Sequence, residues 1–504
     1  MDQNHHSSPW PTTIAVMLAT LMVILDMTIV NVSLPHMAGA LGATSDQITW
    51  VLTSYIVAEG VTIPLSGFLA RWFGRRRVIL TSIIGFIVMS ALCGQATSLV
   101  AMVIFRILQG VFGAPVIPLS QATLIDSFPP AQRGRAMAIF GIGVLLGPAL
   151  GPTLGGYITE HMSWRWVFYI NVPMGILNLL LAIPALKETE RVHESLDWLG
   201  ALLMAMGIGS LQFVLDRGNQ ENWFDSDIII FMTLLMLAAL SAFIIRSWNR
   251  QDSVLKLSLL RDRNLATGSF LIMAFGLGLF GTVVLQPILL QDLLGYPPST
   301  TGLMMGPRAL CNAFTMALAV PLMPKIGTRP MIAAGMLIMS AGSYLMSRYN
   351  LEISPFWAIV PGMVQGVGMG LVFVPLATIA FETIAPHDND QAATIFNLAR
   401  TIGSSIGISI VTTILSRNTQ INWNRLGGHI MEYSPAMNAW LNAHGMTPDH
   451  PLAPNLLAME LARQATMVAF INDFWFISIA ILLLIPLVLL MKSTGKTLDL
   501  SALH

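Results

Sequence analysis

Three ionisable residues lie well inside the early apolar stretches of this sequence. Asp26 is near the middle of the first stretch, Glu59 lies in the second and Arg106 lies in the fourth. Ionisable groups inside a membrane are costly, and they are usually paired, uncharged or functional. A carboxyl group held there can take up and release a proton, and a nearby cation can respond to its charge. We therefore expect Asp26, Arg106 and Glu59 to couple proton movement to the activity of the protein.

Each of these residues also has a structural interpretation. Asp26 could bond a neighbouring polar group such as Asn31, and Arg106 could hold two helices together through backbone carbonyl groups. Glu59 could anchor a cationic substrate, or it could pair with Arg106 across the protein. The sequence does not say which segments touch one another, so these alternatives stay open at this point.

Other polar residues could line a cavity between the apolar segments. A polar stripe at helical spacing runs along the second stretch and should face away from lipid: Tyr55, Glu59, Thr62 and Ser66. Gln109 lies on the same helical face as Arg106. Arg308 and Arg400 are the cations of later stretches, and we expect gating or packing from them more than substrate contact. The cavity candidates are Tyr55, Gln109, Asn31, Arg308 and Arg400.

A run of small residues, GIGVLLGPALGPTLGG, occupies positions 141–156. Glycines four residues apart fall on one stripe of a helix, which allows another helix to approach very closely. The prolines predict a bent or locally loosened helix. The run is either a tight structural crossing or a sliding seam, and the repeat described below favours a seam between two bundles. Its residues of interest are Gly143, Gly147, Pro148, Gly151, Pro152, Gly155 and Gly156.

The composition is that of a membrane protein. The chain has 504 residues, of which 54% are hydrophobic and 10% are charged, whereas a soluble protein carries about 25% charged residues. We therefore expect an all-α protein that crosses the lipid bilayer many times. The formal net charge of zero gives nucleic-acid binding no electrostatic support. Because the sequence has no histidine pair at metal-ligand spacing and no phosphate-binding loop, we expect no metal, no cofactor and no direct use of ATP.

Fourteen apolar segments are long enough to span a membrane, since each span needs about 20 residues. They cover about 14–35, 47–69, 77–96, 99–121, 136–158, 165–186, 196–215, 227–247, 265–290, 299–322, 329–348, 354–380, 390–416 and 468–491. Of the 26 Lys and Arg residues, seventeen fall in segments on one side of the membrane, six fall in loops on the other side, and three lie within the spans. Because positive loops stay in the cytoplasm, both termini should be cytoplasmic. Asp292 and Asp473 lie near span ends, where we expect hydrated interface residues.

The two halves of the chain resemble each other. LARWFGRRRVIL at 69–80 aligns with LMPKIGTRPMIA at 322–333, and RILQGVFGAPVIPL at 106–119 aligns loosely with GMVQGVGMGLVFVPL at 362–376. Spans two and four therefore correspond to spans ten and twelve, which leaves spans seven and eight as an insertion between two six-helix bundles. The predicted segments are an N-terminus at 1–13, a first bundle at 14–186, the inserted spans with flanking loops at 187–263, a second bundle at 264–491 and a C-terminal tail at 492–504.

Several motifs resemble those of the major facilitator superfamily, in its fourteen-helix drug:proton antiporter branch. LDMTIVNVSLP at 25–35 resembles the first-helix motif of that branch. Arg106 with Gln109 and Gly110 is similar to the fourth-helix motif that is assigned to proton coupling. The run at 141–156 resembles the antiporter motif, which the family associates with export.

GFLARWFGRRR at 67–77 resembles the inner-loop signature of the same superfamily. Its residues here include Gly67, Arg71, Gly74, Arg75 and Arg76. Arg71 stands where an Asp is usual, which puts a loop latch built on that Asp in doubt.

Three further stretches are more specific: INVPMG at 170–175, GIGSLQFVLDRG at 207–218 and FNLARTIGSSIG at 396–407. Together they resemble the EmrB-type inner-membrane subunits of tripartite multidrug pumps in Gram-negative bacteria. The resemblance implies a major facilitator fold of two six-helix bundles plus two extra helices, and proton-driven efflux of hydrophobic or amphipathic drugs from a bacterial inner membrane. It also implies a periplasmic membrane-fusion (adaptor) protein as partner and, through it, an outer-membrane channel.

The predicted outer loop at 417–466 is unusually long for a connection without a role. AMNAWL at 436–441 and NLLAMELA at 455–462 have the pattern of short amphipathic helices. The loop is either a cap over the outer mouth or, on the EmrB resemblance, a docking surface for the adaptor.

Other functions are compatible with parts of this pattern. The chain could be a dedicated exporter of one metabolite or lipid-like molecule, a nutrient importer, or a non-transporting membrane receptor. We do not expect an enzyme, because the sequence contains no nucleophile–base or metal constellation.

Overall fold

The computed structural model describes residues 9–129, 132–188, 197–248, 250, 253–430 and 434–491. In this part of the chain the ordered backbone consists of helices joined by turns, without strands. The fourteen long helices are α1 (Trp10–Leu41), α2 (Trp50–Phe73), α3 (Arg75–Gln95), α4 (Leu99–Ser127), α5 (Arg133–His161), α6 (Trp166–Ala185), α7 (Trp198–Arg217), α8 (Asp227–Ser247), α9 (Arg263–Leu293), α10 (Pro298–Ile326), α11 (Thr328–Met346), α12 (Pro355–Phe381), α13 (Asn389–Gly427) and α14 (Ala453–Leu484).

These helices confirm the predicted all-α membrane fold, since each predicted span falls on one of them in order. Within the described residues, twelve helices are long and apolar enough to cross a membrane. The other two long helices, α5 and α11, bring the number to the fourteen that the sequence predicts. The helix α5 packs along α1 and α10, and α11 packs along α12 and α14.

Local irregularities interrupt several of the helices. A 3₁₀ turn at Ile63–Leu65 interrupts α2 at Pro64, and α9 ends in a π-helical segment, Leu289–Leu293, that follows Pro287. Proline removes a backbone donor and clashes with the preceding turn, which explains both positions. Such breaks are tolerated in a membrane when neighbouring helices cover the freed backbone groups.

The helices pack as two groups with an insertion. Helices α1 to α6 contact one another, α9 to α14 contact one another, and α7 and α8 pack together, with α7 also touching α2 and α13. The two groups meet where α5 packs on α10 and α12, and where α13 packs on α2 and α4. The domain boundaries stay predictions, and of the predicted terminal segments, 1–8 and 492–504 lie outside the described residues.

Two glycines support the internal repeat. Gly74 ends α2 with φ +93°, and Gly327 ends α10 with φ +88°. These values lie in a region that residues with a Cβ rarely adopt, so glycine is needed for the tight connection to the next helix. The two positions correspond in the alignment of 69–80 with 322–333, so both halves use the same turn.

The predicted loop at 417–466 is mostly helical, which corrects part of the prediction. The 39-residue helix α13 is about 58 Å long, far more than the roughly 30 Å of a bilayer core. The predicted helix at 436–441 lies within a short helix, Pro435–Ala443, whereas the predicted helix at 455–462 is the beginning of α14. We call residues 417–466 the hairpin, and we call the end of the protein that carries it the hairpin end. The opposite end, which contains Arg75 and Lys256, is called the basic end.

Candidate functional site

A buried ion pair joins α1 to α4. The side chains of Asp26 and Arg106 are both 0% exposed, and Arg106 Nη1 lies 2.6 Å from Asp26 Oδ2. The other carboxylate oxygen accepts hydrogen bonds from Gln109 Nε2 at 3.0 Å and from Asn171 Nδ2 at 2.6 Å. Asn31, considered above as a partner for Asp26, is exposed and belongs to a different part of α1.

The guanidinium of Arg106 has further partners that hold it in place. Its Nε donates to the backbone carbonyl of Val51 at 3.0 Å, and its Nη1 donates to Gln109 Oε1 at 2.9 Å. The guanidinium also lies over the Tyr55 ring, 4.2 Å from its centroid, a favourable cation–π geometry. Arg106 is therefore both an ion-pair partner and a clamp between helices.

Asn171 and Ser90 extend this cluster to α6 and α3. Asn171 Nδ2 donates to Ser90 Oγ at 2.9 Å, and Ser90 donates to the carbonyl of Phe168 at 2.9 Å. Sequence reasoning assigned neither residue a role. Asn171 lies in the INVPMG stretch that carries the family resemblance, and Ser90 is a single polar side chain inside an apolar stretch. Nothing local shows that either residue belongs with Asp26.

The arrangement can bind or release one proton with a change in contacts. Removing a partner from a buried ion pair leaves an uncompensated charge, which is strongly unfavourable. A protonated Asp26 would leave Arg106 with the Val51 carbonyl, the Gln109 oxygen and the Tyr55 ring as partners.

Glu59 faces the boundary between the two groups of helices. Its side chain is buried, and the charges that act on it most are those of Arg400 on α13 and Arg106 on α4. Arg400 Nε also donates to Asn397 Oδ1 at 3.4 Å. The ion pair of Arg106 is made with Asp26, which does not match the interpretation that pairs Arg106 with Glu59.

The cavity candidates occupy different environments. Tyr55 and Gln109 are fully buried inside the Asp26 cluster, Asn31 is exposed, and Arg400 is partly exposed. The rest of the predicted polar stripe, Thr62 and Ser66, is buried within the protein as expected. The roles of these residues toward a substrate stay predictions.

Arg308 is the buried cation of the second group of helices. Its Nη1 lies 3.5 Å from Gln286 Oε1 and its Nη2 lies 3.7 Å from the sulfur of Met369. Within the described residues no carboxylate lies within ion-pair distance of it. Its side chain packs beside Gly362, which aligns with Arg106, so α10 supplies here the cation that α4 supplies in the first group.

The polar residues around Arg308 also follow the repeat. Gln365, which aligns with Gln109, donates through Nε2 to Thr282 Oγ1 at 3.0 Å and to Ser343 Oγ at 2.9 Å. Thr282 thus bonds Gln365 on α12 as Asp26 bonds Gln109 on α4. The second half contains a buried cation, but a neutral hydroxyl takes the place of the carboxylate.

A second ion-pair cluster closes the basic end. Arg75 lies 2.7 Å from Asp126 at the end of α4 and 2.7 Å from Asp390 at the start of α13. Asn389 Nδ2 donates to Asp126 Oδ1 at 2.5 Å. These contacts join the two groups of helices, and nearby Lys256 adds a 3.3 Å ion pair with Asp388. Sequence reasoning identified Arg75 through its motif but missed both acidic partners.

The other residues of the inner-loop motif lie around this cluster. A Cβ on Gly67 would lie 3.0 Å from the side chains of Gln391 and Thr394, so glycine permits the close approach of α13 to α2. Arg76 Nη2 donates to the carbonyl of Ile183 at 2.8 Å, and Arg71 is buried.

The glycine run of α5 packs against α1, which corrects the predicted seam between bundles. Cβ atoms added at Gly143, Gly147 and Gly151 would clash with Met17, Ile24 and Thr28 of α1, and one at Gly155 would lie 2.9 Å from the Ile29 carbonyl oxygen. The run is therefore a tight crossing within one group of helices. Pro148, Pro152 and Gly156 continue the same helix.

The contact of α5 with the second group lies on another face. A Cβ at Gly141 would lie 2.8 Å from Met316 of α10 and from Phe373 of α12. Gly403 of α13 packs tightly on the backbone of Met273 in α9, as α5 packs on α1. The two halves therefore share this glycine-mediated crossing, although the aligned run at 396–407 lacks prolines.

Asp292 and Asp473 differ in their surroundings. Asp292 is exposed, in line with the prediction of a hydrated interface residue. Asp473 is fully buried, so the same prediction is wrong for that residue. Burial here depends on the helices that surround α14, which its distance from the span end does not reveal.

Comparisons with known proteins agree with this fold. The chain matches the family model described as Major Facilitator Superfamily over residues 16–408. It is 34% identical over 469 residues to the multidrug export protein EmrB of Haemophilus influenzae, with 92% of each chain covered. It is 35% identical over 485 residues to the fatty acid resistance protein FarB of Neisseria gonorrhoeae, with 95% of each covered. The solved structure of the proton:xylose symporter XylE shares the fold, with a TM-score of 0.59, 15% identity and 94% of each chain covered.

Proposed function

Because this chain belongs to the major facilitator superfamily, we propose that it is a proton-driven exporter of hydrophobic or amphipathic toxic compounds. It is a transporter and not an enzyme. The observation that carries the proton-coupled part of the proposal is the buried Asp26–Arg106 pair, in which one carboxylate is held by three side-chain donors.

Proton binding at Asp26 would change the balance between two conformations. A ligand shifts a conformational equilibrium only if it interacts differently with the two states. Protonation removes the attraction between Asp26 and Arg106, which link α1 to α4, so the packing of these helices depends on the proton. If Asp26 faces opposite sides of the membrane in the two states, proton entry can drive export.

The Arg75 cluster supports an alternating-access cycle. In this structure Arg75 links α3 to α13 through Asp390, so the two groups of helices are tied together at the basic end. The rocking of two bundles opens one end while it closes the other. Opening of the basic end would require these ion pairs to separate.

Drugs are the substrates that the relatives named for multidrug export favour. The relative from Haemophilus influenzae is a multidrug export protein. Thirty-one methionines, many of them buried between helices, provide soft and adaptable contacts. Such side chains suit a binding surface that accepts several unrelated molecules.

A dedicated exporter of fatty-acid-like carboxylates is a second candidate, and two observations favour it. FarB is a fatty acid resistance protein and covers nearly the whole chain. Among the described residues, the buried Arg308 makes long contacts with Gln286 and Met369, and a carboxylate from a substrate would neutralise it. A screen of unrelated drugs beside fatty acids separates the two, because a dedicated exporter would protect cells against few or none of the drugs.

We place the protein in a bacterial inner membrane with the basic end and both termini in the cytoplasm. The positive-inside bias of its Lys and Arg residues supports this orientation. The hairpin then reaches into the periplasm. The lengths of α13 and α14 support a hairpin that projects beyond the bilayer.

The hairpin is the proposed docking surface for a periplasmic adaptor protein, which would lead to an outer-membrane channel. A groove of about 710 Å³ runs between its helices and is lined by residues that include Trp423, Met437 and Leu457. Crosslinking from Trp423 or Met437 to a co-expressed adaptor tests this surface. An adaptor complex that survives deletion of residues 430–450 would contradict it.

The decisive test is dye transport driven by a proton gradient in inverted membrane vesicles. We expect Asp26→Asn to abolish gradient-driven transport while folded protein stays in the membrane. Glu352→Gln removes an exposed carboxylate in a loop and is the matched control, which should transport like the wild type. Wild-type transport by Asp26→Asn would refute the proposal.

A further inference from the structure

Asp473 on α14 is a buried carboxyl group that the Asp26 cluster does not use. Its side chain is 0% exposed, and within the described residues neither of its oxygens has a hydrogen-bond partner. Its neighbours on the same face, Phe470, Phe474 and Ile477, are also fully buried. An ionised carboxylate in such apolar surroundings is strongly disfavoured, so Asp473 holds its proton in this conformation.

No described charge compensates for this carboxyl group. The helices packed on α14 and α14 itself carry these titratable or charged groups in their hairpin-end halves: Asp292 on α9, Tyr344, Arg348 and Tyr349 at the end of α11, Arg417 and Arg425 on α13, and Glu460 and Arg463 on α14. Arg348 bonds Tyr344, Tyr349 donates to the Ala358 carbonyl, and Arg463 lies 3.6 Å from Glu460. Asp473 therefore differs from Asp26, whose charge is matched by Arg106.

A vestibule at the hairpin end lies beside the face of α14 that carries Asp473. This cavity of about 680 Å³ lies between α9, α13 and α14, and Phe470 forms part of its wall. Phe470 is three residues from Asp473, so both lie on the same face of α14. Its polar lining residues are Asp292, Thr412, Ser416, Thr419, Gln420, Arg463 and Thr466. Phe470 thus belongs both to the wall of the vestibule and to the helix face that carries the buried acid.

The backbone of α9 is irregular beside this vestibule. The π-helical segment Leu289–Leu293 includes Asp292 and follows Pro287. Single π turns inside helices occur frequently at functional sites. About two turns before this segment, Gly281 of α9 packs against Ile477, which is one turn from Asp473. A shift of α9 would therefore act on the surroundings of the acid.

We propose that Asp473 is a second proton-binding residue, which exchanges its proton with the hairpin side through this vestibule. The inference rests on the proposed proton-driven transport. The proton passes from the Asp473 carboxyl group to a water molecule admitted past Phe470, leaving a carboxylate, and it returns by the same route. Because no cation neutralises the carboxylate, release requires water to enter, and this ties proton release to a conformational change at the hairpin end.

Labelling with dicyclohexylcarbodiimide tests the protonation of Asp473 without any transport measurement. This apolar reagent modifies protonated carboxyl groups. Cleavage after Arg463 and Lys492 releases the peptide 464–492, in which Asp473 is the only acidic side chain. We expect this peptide to be labelled in the wild type and unlabelled in Asp473→Asn.

The pH dependence of labelling tests the vestibule. Labelling should fall as the pH rises on the hairpin side, and Phe470→Ala should move this fall to lower pH because it lets water reach the acid and stabilise its charged form. Absence of label on the wild-type peptide would overturn the proposal. So would a label that is independent of pH in both the wild type and Phe470→Ala.

Transport measurements test the role of the second proton. In reconstituted vesicles we expect Asp473→Asn to lower proton-driven accumulation about tenfold while substrate exchange without a gradient continues, and Asp473→Glu to restore accumulation. An Asp473→Asn protein with the wild-type proton-to-substrate ratio would overturn the proposal. If the wild type shows no proton-driven transport, the proposed function fails, while the labelling still reports on Asp473.

Discussion

Arg75 of α3 lies 2.7 Å from Asp390 of α13, and this contact joins the two groups of helices at the basic end. Arg75 also lies 2.7 Å from Asp126 of α4, so one cation bridges two carboxylates from different halves. Both Arg75 and Asp390 are nearly inaccessible to solvent, so the pair is only weakly screened by salt. The basic end is therefore closed by a contact that a single substitution can remove.

Substitution of Arg75 should open the basic end. Arg75→Gln removes the cation that bridges Asp126 and Asp390, and breaking a buried ion pair in this way costs about 3–5 kcal/mol. We expect the distance between spin labels at Thr81 and Lys325 to increase and broaden. The control is Arg77→Gln, which removes an exposed cation 3.7 Å from Glu188 and should leave the distances unchanged. Equal distance distributions in both variants would contradict this role for Arg75.

Bulk at Gly151 should disrupt the crossing of α5 and α1. A Cβ at this position would collide with Thr28, and overpacking of this kind costs about 1–3 kcal/mol. We expect Gly151→Ala to lower the melting temperature of the purified protein. Gly306→Ala is the matched control, because Gly306 is also helical but has open space around its Cβ position. If the two variants melt alike, the crossing is not sterically limited at Gly151.

Asn171 should affect proton coupling, because it donates to Asp26 at 2.6 Å. Asn171→Leu removes a donor that stabilises the charged carboxylate, and we expect the pH profile of transport to shift. Asn178→Leu, on the same helix, removes a bond to the Ala15 carbonyl and is the structural control. A shift of the pH profile in both variants, or in neither, would show that Asn171 has no specific effect on Asp26.

The contact between α7 and α8 should depend on acid pH. Although burial raises the pKa of the Asp197 carboxyl, hydrogen bonds from Arg246 and from the Gly200 amide bring it below its ordinary value. The charged Asp197 carboxylate therefore stabilises the folded protein fully above the pKa that it has in the unfolded chain, about 3.9. This contribution to the free energy of unfolding is lost as the pH falls through the lower pKa of the folded state.

Thermal unfolding of Asp197→Asn between neutral and acid pH checks this linkage. Asparagine keeps the ability to cap α7 but loses the charge that pairs with Arg246. We expect its melting temperature to lie below that of the wild type at neutral pH and to converge with it as the pH falls below about 4. Asp225→Asn, an exposed acid in the turn between α7 and α8, should match the wild type throughout. A difference for Asp197→Asn that persists at low pH would exclude the charge as its cause.

Much of the fold follows from the sequence, because the information is local. Apolar stretches of about 20 residues must become helices in a bilayer, where every backbone group needs an internal partner. The alignment of Gly74 with Gly327 was readable for the same reason, since a tight helix connection with positive φ requires glycine in both halves. A charge inside an apolar stretch marked Asp26 and Arg106 as residues of interest without showing that they touch.

The contacts of Asp26 and Arg106 depend on which helices surround them, and only the tertiary structure decided which helices those are. The same four-residue glycine spacing would serve a seam between bundles or a crossing within one, and the packing of Gly151 on Thr28 selected the second. Asp473 and Asp292 look alike in the sequence, yet one is enclosed by helices and the other meets solvent. Burial and pairing are set by long-range packing, which hydropathy and spacing along a single segment do not contain.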